Sequence, residues 1–233
     1  MQGREVTLPA GPGYQALPAW AATPPDARRG AVVIHELMGR QPEIDSVVER
    51  FADHGYAAIG PDLFHGQFVL GCIRRAVKAI QSGQGEYIEQ IRAARSWLCD
   101  AAKLQQSHIG IIGFCIGGGF ALAAGPGFGA VSTNYGDVPP QSVLRGIGPT
   151  IGCYGGRDRA FGKQGDKLKA RLAPLGIDPE IHLFPEVGHS FLTQGDHPVL
   201  KTLTWPIMHI TWNPAVAEAA WQKIFAFFDK TLA

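Results

Sequence analysis

The seven residues Gly113-Phe114-Cys115-Ile116-Gly117-Gly118-Gly119 place a thiol, the most nucleophilic side chain available to a protein, inside a frame of glycines. They follow an apolar, β-branched run, His108-Ile109-Gly110-Ile111-Ile112, and precede an alanine-rich stretch of helical character. Gly-x-Cys-x-Gly between a strand and a helix is the pattern of a nucleophile elbow with sulfur in place of hydroxyl. So tight a turn needs residues without a Cβ on either side of the nucleophile, and Gly113 and Gly117 supply them. It also delivers the sulfur to a helix N-terminus, where free N–H groups and a partial positive charge favour the thiolate. The competing reading is a small apolar cysteine buried in a glycine-rich turn.

A thiolate nucleophile needs a histidine, and the histidine needs an orienting acid. Asp158 lies in Gly155-Gly156-Arg157-Asp158-Arg159, just past the strand-like Thr150–Tyr154. His189 lies in Pro185-Glu186-Val187-Gly188-His189-Ser190-Phe191, just past the strand-like Glu180–Phe184. Taken singly, a loop aspartate reads as a cap and a loop histidine as a solvated residue. The order Cys115, Asp158, His189 reads differently, because each follows the carboxyl end of a strand, where open parallel sheets keep their sites. Glu36, in His35-Glu36-Leu37-Met38-Gly39 after the apolar Ala31–Ile34, reaches the same edge, although alone it also reads as an exposed loop acid. The backbone N–H groups of Leu37 and Ile116 are the expected oxyanion pair.

The elements that must hold these residues alternate. Ile44, Val47, Val48 and Phe51 fall at i, i+3, i+4 and i+7 of an amphipathic helix, with Gly55 as its left-handed cap. Ala57–Ile59 reads as a strand, about Tyr87 to Ala101 as a helix, and Gly165 to Leu175 as another. Asn213-Pro214 supplies a cap and a first-turn proline for a last helix ending near Lys230. Strands alternating with helices predict an α/β fold with a mostly parallel central sheet and helices on both faces, one domain over residues 1–233. Phe64–Gly85 and Thr193–Trp212 fit neither period. The second carries Leu203, Trp205, Ile207, Met208, Ile210 and Trp212, and reads as a lid, a substrate wall, a packed arm or an oligomer contact.

Composition narrows the function classes. The 233 residues carry a formal charge of +1 with no block of one sign, which excludes a basic nucleic-acid footprint. No apolar run approaches the ~20 residues that span a bilayer, and the polar Met1-Gln2-Gly3-Arg4-Glu5 lacks the apolar stretch of a secretory signal. Cys72, Cys99, Cys115 and Cys153 are far apart and form no C-x-x-C pair, which points to a reducing compartment, the cytoplasm. His54, His65, His108, His182, His197 and His209 show no metal-ligand spacing, and there is no phosphate loop, dinucleotide fingerprint or zinc motif. No cofactor or metal is expected, and the expected partner is a small molecule rather than a nucleic acid or a membrane.

Five motifs in order, His35–Gly39, Gly60–Phe64, Gly113–Gly118, Tyr154–Asp158 and Gly188–Phe191, resemble the dienelactone hydrolase family of cysteine-dependent α/β-hydrolases over most of the chain. The resemblance implies an α/β-hydrolase fold and hydrolysis of carboxylic esters or lactones. It also implies a Cys115–His189–Asp158 triad working through a thioester, with Glu36 helping to form the thiolate. In the family's prototype two arginines bind the substrate carboxylate. One of these positions is Thr193 here, the other falls near Arg74 or Arg75, and a tyrosine four residues further on has no counterpart at Lys78 or Ala79. A threonine does not replace a bidentate guanidinium, so the expected substrate is less polar than dienelactone, with Arg74, Arg75, Phe191 and Trp205 as candidate contacts. Two alternatives stand beside this one. Class I glutamine amidotransferases share the elbow but resemble one another in a His-x-Glu, where this chain has Phe191 two residues after His189. A non-catalytic binding module of the same fold would account for the missing carboxylate grip.

Overall fold

The structure, a computed structural model, describes residues 1–65, 69–194, 205–210 and 212–232, with residues 69–72 by backbone alone. The side chain of Cys72 and the whole of His197 and Leu203 therefore lie outside the described residues. Eight strands make one sheet: β1 (Arg4–Leu8), β2 (Leu17–Ala22), β3 (Arg29–Ile34), β4 (Tyr56–Pro61), β5 (Ile109–Phe114), β6 (Ala130–Asn134), β7 (Thr150–Gly155) and β8 (Glu180–Phe184). The helices are α1 (Pro42–Asp53), α2 (Val69–Ser82), α3 (Glu86–Ala102), α4 (Ile116–Ala124), α5 (Gln164–Leu172) and, last in the chain, α6 (Pro214–Thr231).

The strand order is β1-β2-β4-β3-β5-β6-β7-β8, parallel from β4 to β8, with β1 and β2 added antiparallel at one edge. The parallel strands read as continuous apolar runs because both faces are covered. Alternate residues feed two cores: Val32 and Ile34 pack with α3 and α4, whereas Ala31 and Val33 pack with α1 and α6. On the second face Phe51 of α1 meets Trp221, Phe225 and Phe228 of α6 with ring centroids 5.0–6.2 Å apart. Gly110 lets Phe228 lie flat on β5, since a Cβ there would come within 2.2 Å of the ring.

The expected α/β fold is present, and Gly55 has the left-handed φ of +80° that its place after α1 requires. The alternation scheme passes over β1, β2 and β6. β6, Ala-Val-Ser-Thr-Asn, is wholly buried yet polar at its last three residues, and its Asn134 side chain is used to fasten β5 by donating to the Gly113 carbonyl at 3.1 Å. Phe64–Gly85, which fitted neither period, contains helix α2. The helix expected over Gly165–Leu175 ends at Leu172 and tightens into a 3₁₀ turn over Ala173–Leu175.

The chain runs from β3 outward to β4, then crosses back to β5 and outward the other way, so β3 and β5 flank the point where the winding reverses. Such a switch leaves a crevice at the carboxyl ends of the two strands. Ile34 pairs with Gly113, which puts Glu36 and Cys115 on opposite lips of that crevice. Phe228→Ala removes a fully buried ring between β5 and α1 and should cost about 3–5 kcal/mol of stability, read as a lower denaturation midpoint in urea with an unchanged slope.

Candidate active site

Cys115 links β5 to α4 with φ 55° and ψ −118°, a left-handed conformation that a side chain enters at a cost. Its neighbours hold it there. The Cys115 N–H donates to the Asn134 carbonyl at 3.0 Å, carrying the β5–β6 ladder one residue past the strand. A Cβ on Gly113 would lie 1.9 Å from the Gly117 carbonyl oxygen, and one on Gly117 would lie 2.5 Å from the backbone oxygens of Ile34 and His35. Both glycines are thus required by close backbone approach.

Asp158 and His189 follow β7 and β8. The aspartate is oriented through Oδ1, which accepts the Ala160 and Phe161 N–H groups at 3.0 Å each. Its Oδ2 accepts from His189 Nδ1 at 2.6 Å, with both side chains buried, and this assigns the Nδ1 proton and turns Nε2 toward Cys115. The imidazole lies between the rings of Tyr135 and Phe161, at centroid distances of 4.9 and 5.0 Å. Burial pulls its pKa down, but the Cys115 sulfur and the hydrogen bonds to Asp158 and Cys115 outweigh that and lift it to about 10. Nε2 makes no hydrogen bond of standard geometry among the described residues, and the Cys115 sulfur acts on the ring through its charge and proximity.

The two loops are tied together. Arg157 N–H donates to the Val187 carbonyl at 2.9 Å, Arg159 N–H to the Ile207 carbonyl at 2.9 Å, and His189 N–H to the Met208 carbonyl at 2.8 Å. The described part of the apolar segment, residues 205–210, is therefore a strap across both loops.

Glu36 approaches from the β3 side. The turn after it closes through the Gly39 N–H to the Glu36 carbonyl at 3.2 Å. Within that turn the Leu37 N–H donates to no group among the described residues. Ile116, as the first residue of α4, has an N–H with no carbonyl inside the helix to receive it. The loop is anchored by His35, whose Nδ1 donates to the Glu36 carbonyl at 2.7 Å while Nε2 accepts the Leu63 N–H at 3.1 Å. Burial keeps this imidazole neutral by lowering its pKa. The Glu36 carboxylate accepts from Thr193 Oγ1 at 2.8 Å and Tyr135 Oη at 3.3 Å on Oε1, and from Ser190 Oγ at 3.4 Å on Oε2.

The structure gathers Cys115, His189 and Glu36 around Tyr135, with Asp158 behind the imidazole, and Leu37 and Ile116 next in the chain after Glu36 and Cys115. Phe191 is 0% exposed, packed between Tyr135 and Phe184, which makes it a wall behind the crevice. Trp205 is 43% exposed on the strap, its ring against His209. Arg74 is exposed, and Arg75 pairs with Glu86 at 3.3 Å beside a separate cavity of about 480 Å³ lined by Tyr14, Phe64, His65, Tyr87 and Gln90. Neither arginine is brought to Cys115.

Sequence reasoning missed Tyr135, Ser190 and the bond from Thr193 to Glu36. Tyr135 and Ser190 are, like Cys115, non-glycine residues with left-handed φ, at 44° and 54°. The one sequence signal is Asn134-Tyr135-Gly136 closing a polar strand beside the elbow. No group of three or more metal-ligating side chains occurs among the described residues, and no helix among them is long and apolar enough to cross a membrane.

Because the Cys115 sulfur raises the His189 pKa, Cys115→Ala leaves burial opposed by Asp158 alone, and His189 should titrate below about 10 in an NMR pH series. The folded wild type binds this proton more tightly than an unfolded histidine near 6.5. The associated stability is therefore complete below about pH 6.5 and lost as pH rises through about 10, a decline that Cys115→Ala should move to lower pH.

The profile of the dienelactone hydrolase family matches residues 17–232. A carboxymethylenebutenolidase of Rhodococcus opacus is 26% identical, the match covering 86% of this chain and 81% of that one. A dienelactone hydrolase-like promiscuous phosphotriesterase from metagenomic libraries superposes with a TM-score of 0.77 at 19% identity over 98% of both chains. The dienelactone hydrolase of Anabaena variabilis does so with a TM-score of 0.67 at 21% identity, over 94% of this chain and 96% of that one. With an eight-stranded, mostly parallel sheet of α/β-hydrolase type and a family match over nearly its whole length, this chain belongs to the dienelactone hydrolase family and is a hydrolase.

Proposed function

We propose that the protein hydrolyses carboxylic esters or lactones with Cys115 as nucleophile, His189 as general acid and base, and Asp158 as the orienting acid. The observation that carries this reading is the buried Asp158–His189 hydrogen bond of 2.6 Å with the Cys115 sulfur as the second partner of the imidazole. The Cys115 thiolate attacks the ester carbonyl carbon, and the carbonyl π pair moves to oxygen, received by the Leu37 and Ile116 N–H groups. Each such donor is typically worth ~10²–10³ in kcat. Collapse breaks the carbon–oxygen bond to the alcohol, which leaves with the proton from His189 Nε2, and a thioester remains on Cys115. Water then attacks the thioester and gives its proton to Nε2, and the acid departs as the thiolate–imidazolium pair is restored. Glu36 assists by taking the thiol proton where Cys115 is not already ionised.

The placement of Thr193 on Glu36 and of Arg75 on Glu86 supports a substrate other than dienelactone itself. A small soluble substrate also suits the expected cytoplasmic location. On a panel of short-chain aryl esters and lactones, Cys115→Ala should abolish turnover, and the wild type should form a thioester that hydroxylamine releases. Equal turnover by the two proteins would remove Cys115 from the mechanism.

A further inference from the structure

The groups around Glu36 carry information about substrate charge. Thr193 Oγ1 has one proton and gives it to Glu36 Oε1 at 2.8 Å, the shortest contact in the cluster. Tyr135 Oη lies 3.3 Å from the same oxygen and 3.1 Å from Thr193 Oγ1, so its proton reinforces the carboxylate directly or through the threonine. Burial and the nearby Glu36 push the Tyr135 pKa well up, so the phenol stays a donor. Tyr135 is immobilised as well. Its N–H donates to the Cys153 carbonyl at 2.8 Å, and its ring packs on Phe114, Phe191 and His189. Glu36 is thus held in place by neutral hydroxyls on rigid supports.

No lysine or arginine is among the hydrogen-bond or ring partners of Cys115, His189, Asp158, Glu36 or Tyr135 in the described residues. The charged groups that bear on His189 and Tyr135 are Cys115, Asp158, Glu36 and Glu43, all of which are negative when ionised. Among the described residues the one cation bearing on them is the His189 imidazolium, already shared between Asp158 and the sulfur. Among the described residues, a group entering beside Cys115 therefore meets a surplus of negative charge, and the burial of Asp158, His189 and Tyr135 leaves that charge weakly screened.

We propose that the hydroxyl cage of Tyr135, Thr193 and Ser190 makes this a site for acyl groups without negative charge, with Tyr135 and Thr193 as positioning residues that fix the Glu36 carboxyl group where it excludes anionic ones. The substrate class, neutral esters and lactones, rests on the ester-hydrolase reading above, but the field at Cys115 can be read without turnover. The test compares alkylation of Cys115 by neutral iodoacetamide and anionic iodoacetate, near neutral pH and low salt, with the site located by peptide mass spectrometry. Relative to a free small-molecule thiol, the protein should favour iodoacetamide by a further tenfold or more, and high salt should reduce this excess. Glu36→Gln should bring the ratio back toward the free thiol. Thr193→Val, which keeps the shape and removes the donated proton, should lower kcat on neutral esters with a smaller change in KM. A wild-type ratio equal to that of the free thiol, or one that Glu36→Gln leaves unchanged, overturns the proposal. The matched arm uses a neutral aryl butyrate and an aryl hemisuccinate: a tenfold or greater kcat/KM preference for the butyrate supports the proposal, and equal values overturn it. Loss of both turnovers with the alkylation preference intact overturns the ester-hydrolase reading instead.

Discussion

Two hydrogen bonds in the parallel ladder do more for this site than any side chain. The Cys115 N–H reaches the Asn134 carbonyl of β6, and the Tyr135 N–H reaches the Cys153 carbonyl of β7. Each carries the pairing one residue beyond a strand, onto a residue whose left-handed backbone would otherwise relax. A non-glycine residue with positive φ persists only where its surroundings over-determine it, and here the sheet does so at adjacent strands. The result is that a sulfur and a phenol leave the sheet at neighbouring points and turn into one crevice. The rest of the site is hung on that pair: α4 starts at the elbow, Gly117 lets the end of β3 close against it, and Glu36 is received by the Tyr135 hydroxyl.

The electrostatic consequences follow from who sits next to whom. His189 is buried, which alone would keep it neutral, yet it lies between a carboxylate and a sulfur and so holds its proton to about pH 10. Among the described residues no cation is a hydrogen-bond partner of Glu36. Its contacts are hydroxyls, which stabilise a carboxylate without cancelling its charge. The crevice therefore contains one strongly bound proton and several negative groups, an arrangement suited to a nucleophile that must be anionic and to a substrate that is not.

Much of this was legible in the sequence, for a definite reason. Elbow, acid loop and histidine loop are all places where backbone approaches backbone, and glycine is the visible mark of such approach. Cys115, Asp158, His189 and Glu36 could be placed because Gly113, Gly117, Gly155, Gly156, Gly188 and Gly39 surround them. Tyr135 and Ser190 adopt backbone angles typical of glycine without being glycine, so nothing marks them. The role of Thr193 depends on a partner 157 residues away, and such pairings have no local pattern. The engagement of Arg75 with Glu86 depends on how two successive helices pack, which no local spacing records, while β6 escaped notice because its buried polar residues break the apolar pattern that a covered strand normally shows.

His35 has a consequence of its own. It is buried and neutral, with one ring nitrogen giving to Glu36 and the other receiving from Leu63, so protonation would destroy the second bond. Its lowered pKa means that acidification below the normal histidine range favours the unfolded chain, which takes up the proton readily. His189 errs in the opposite sense and weakens the fold as the medium turns alkaline. The molecule thus carries an acid limit and an alkaline limit on two imidazoles of opposite habit, one at each lip of the crevice, and its most durable form lies between them.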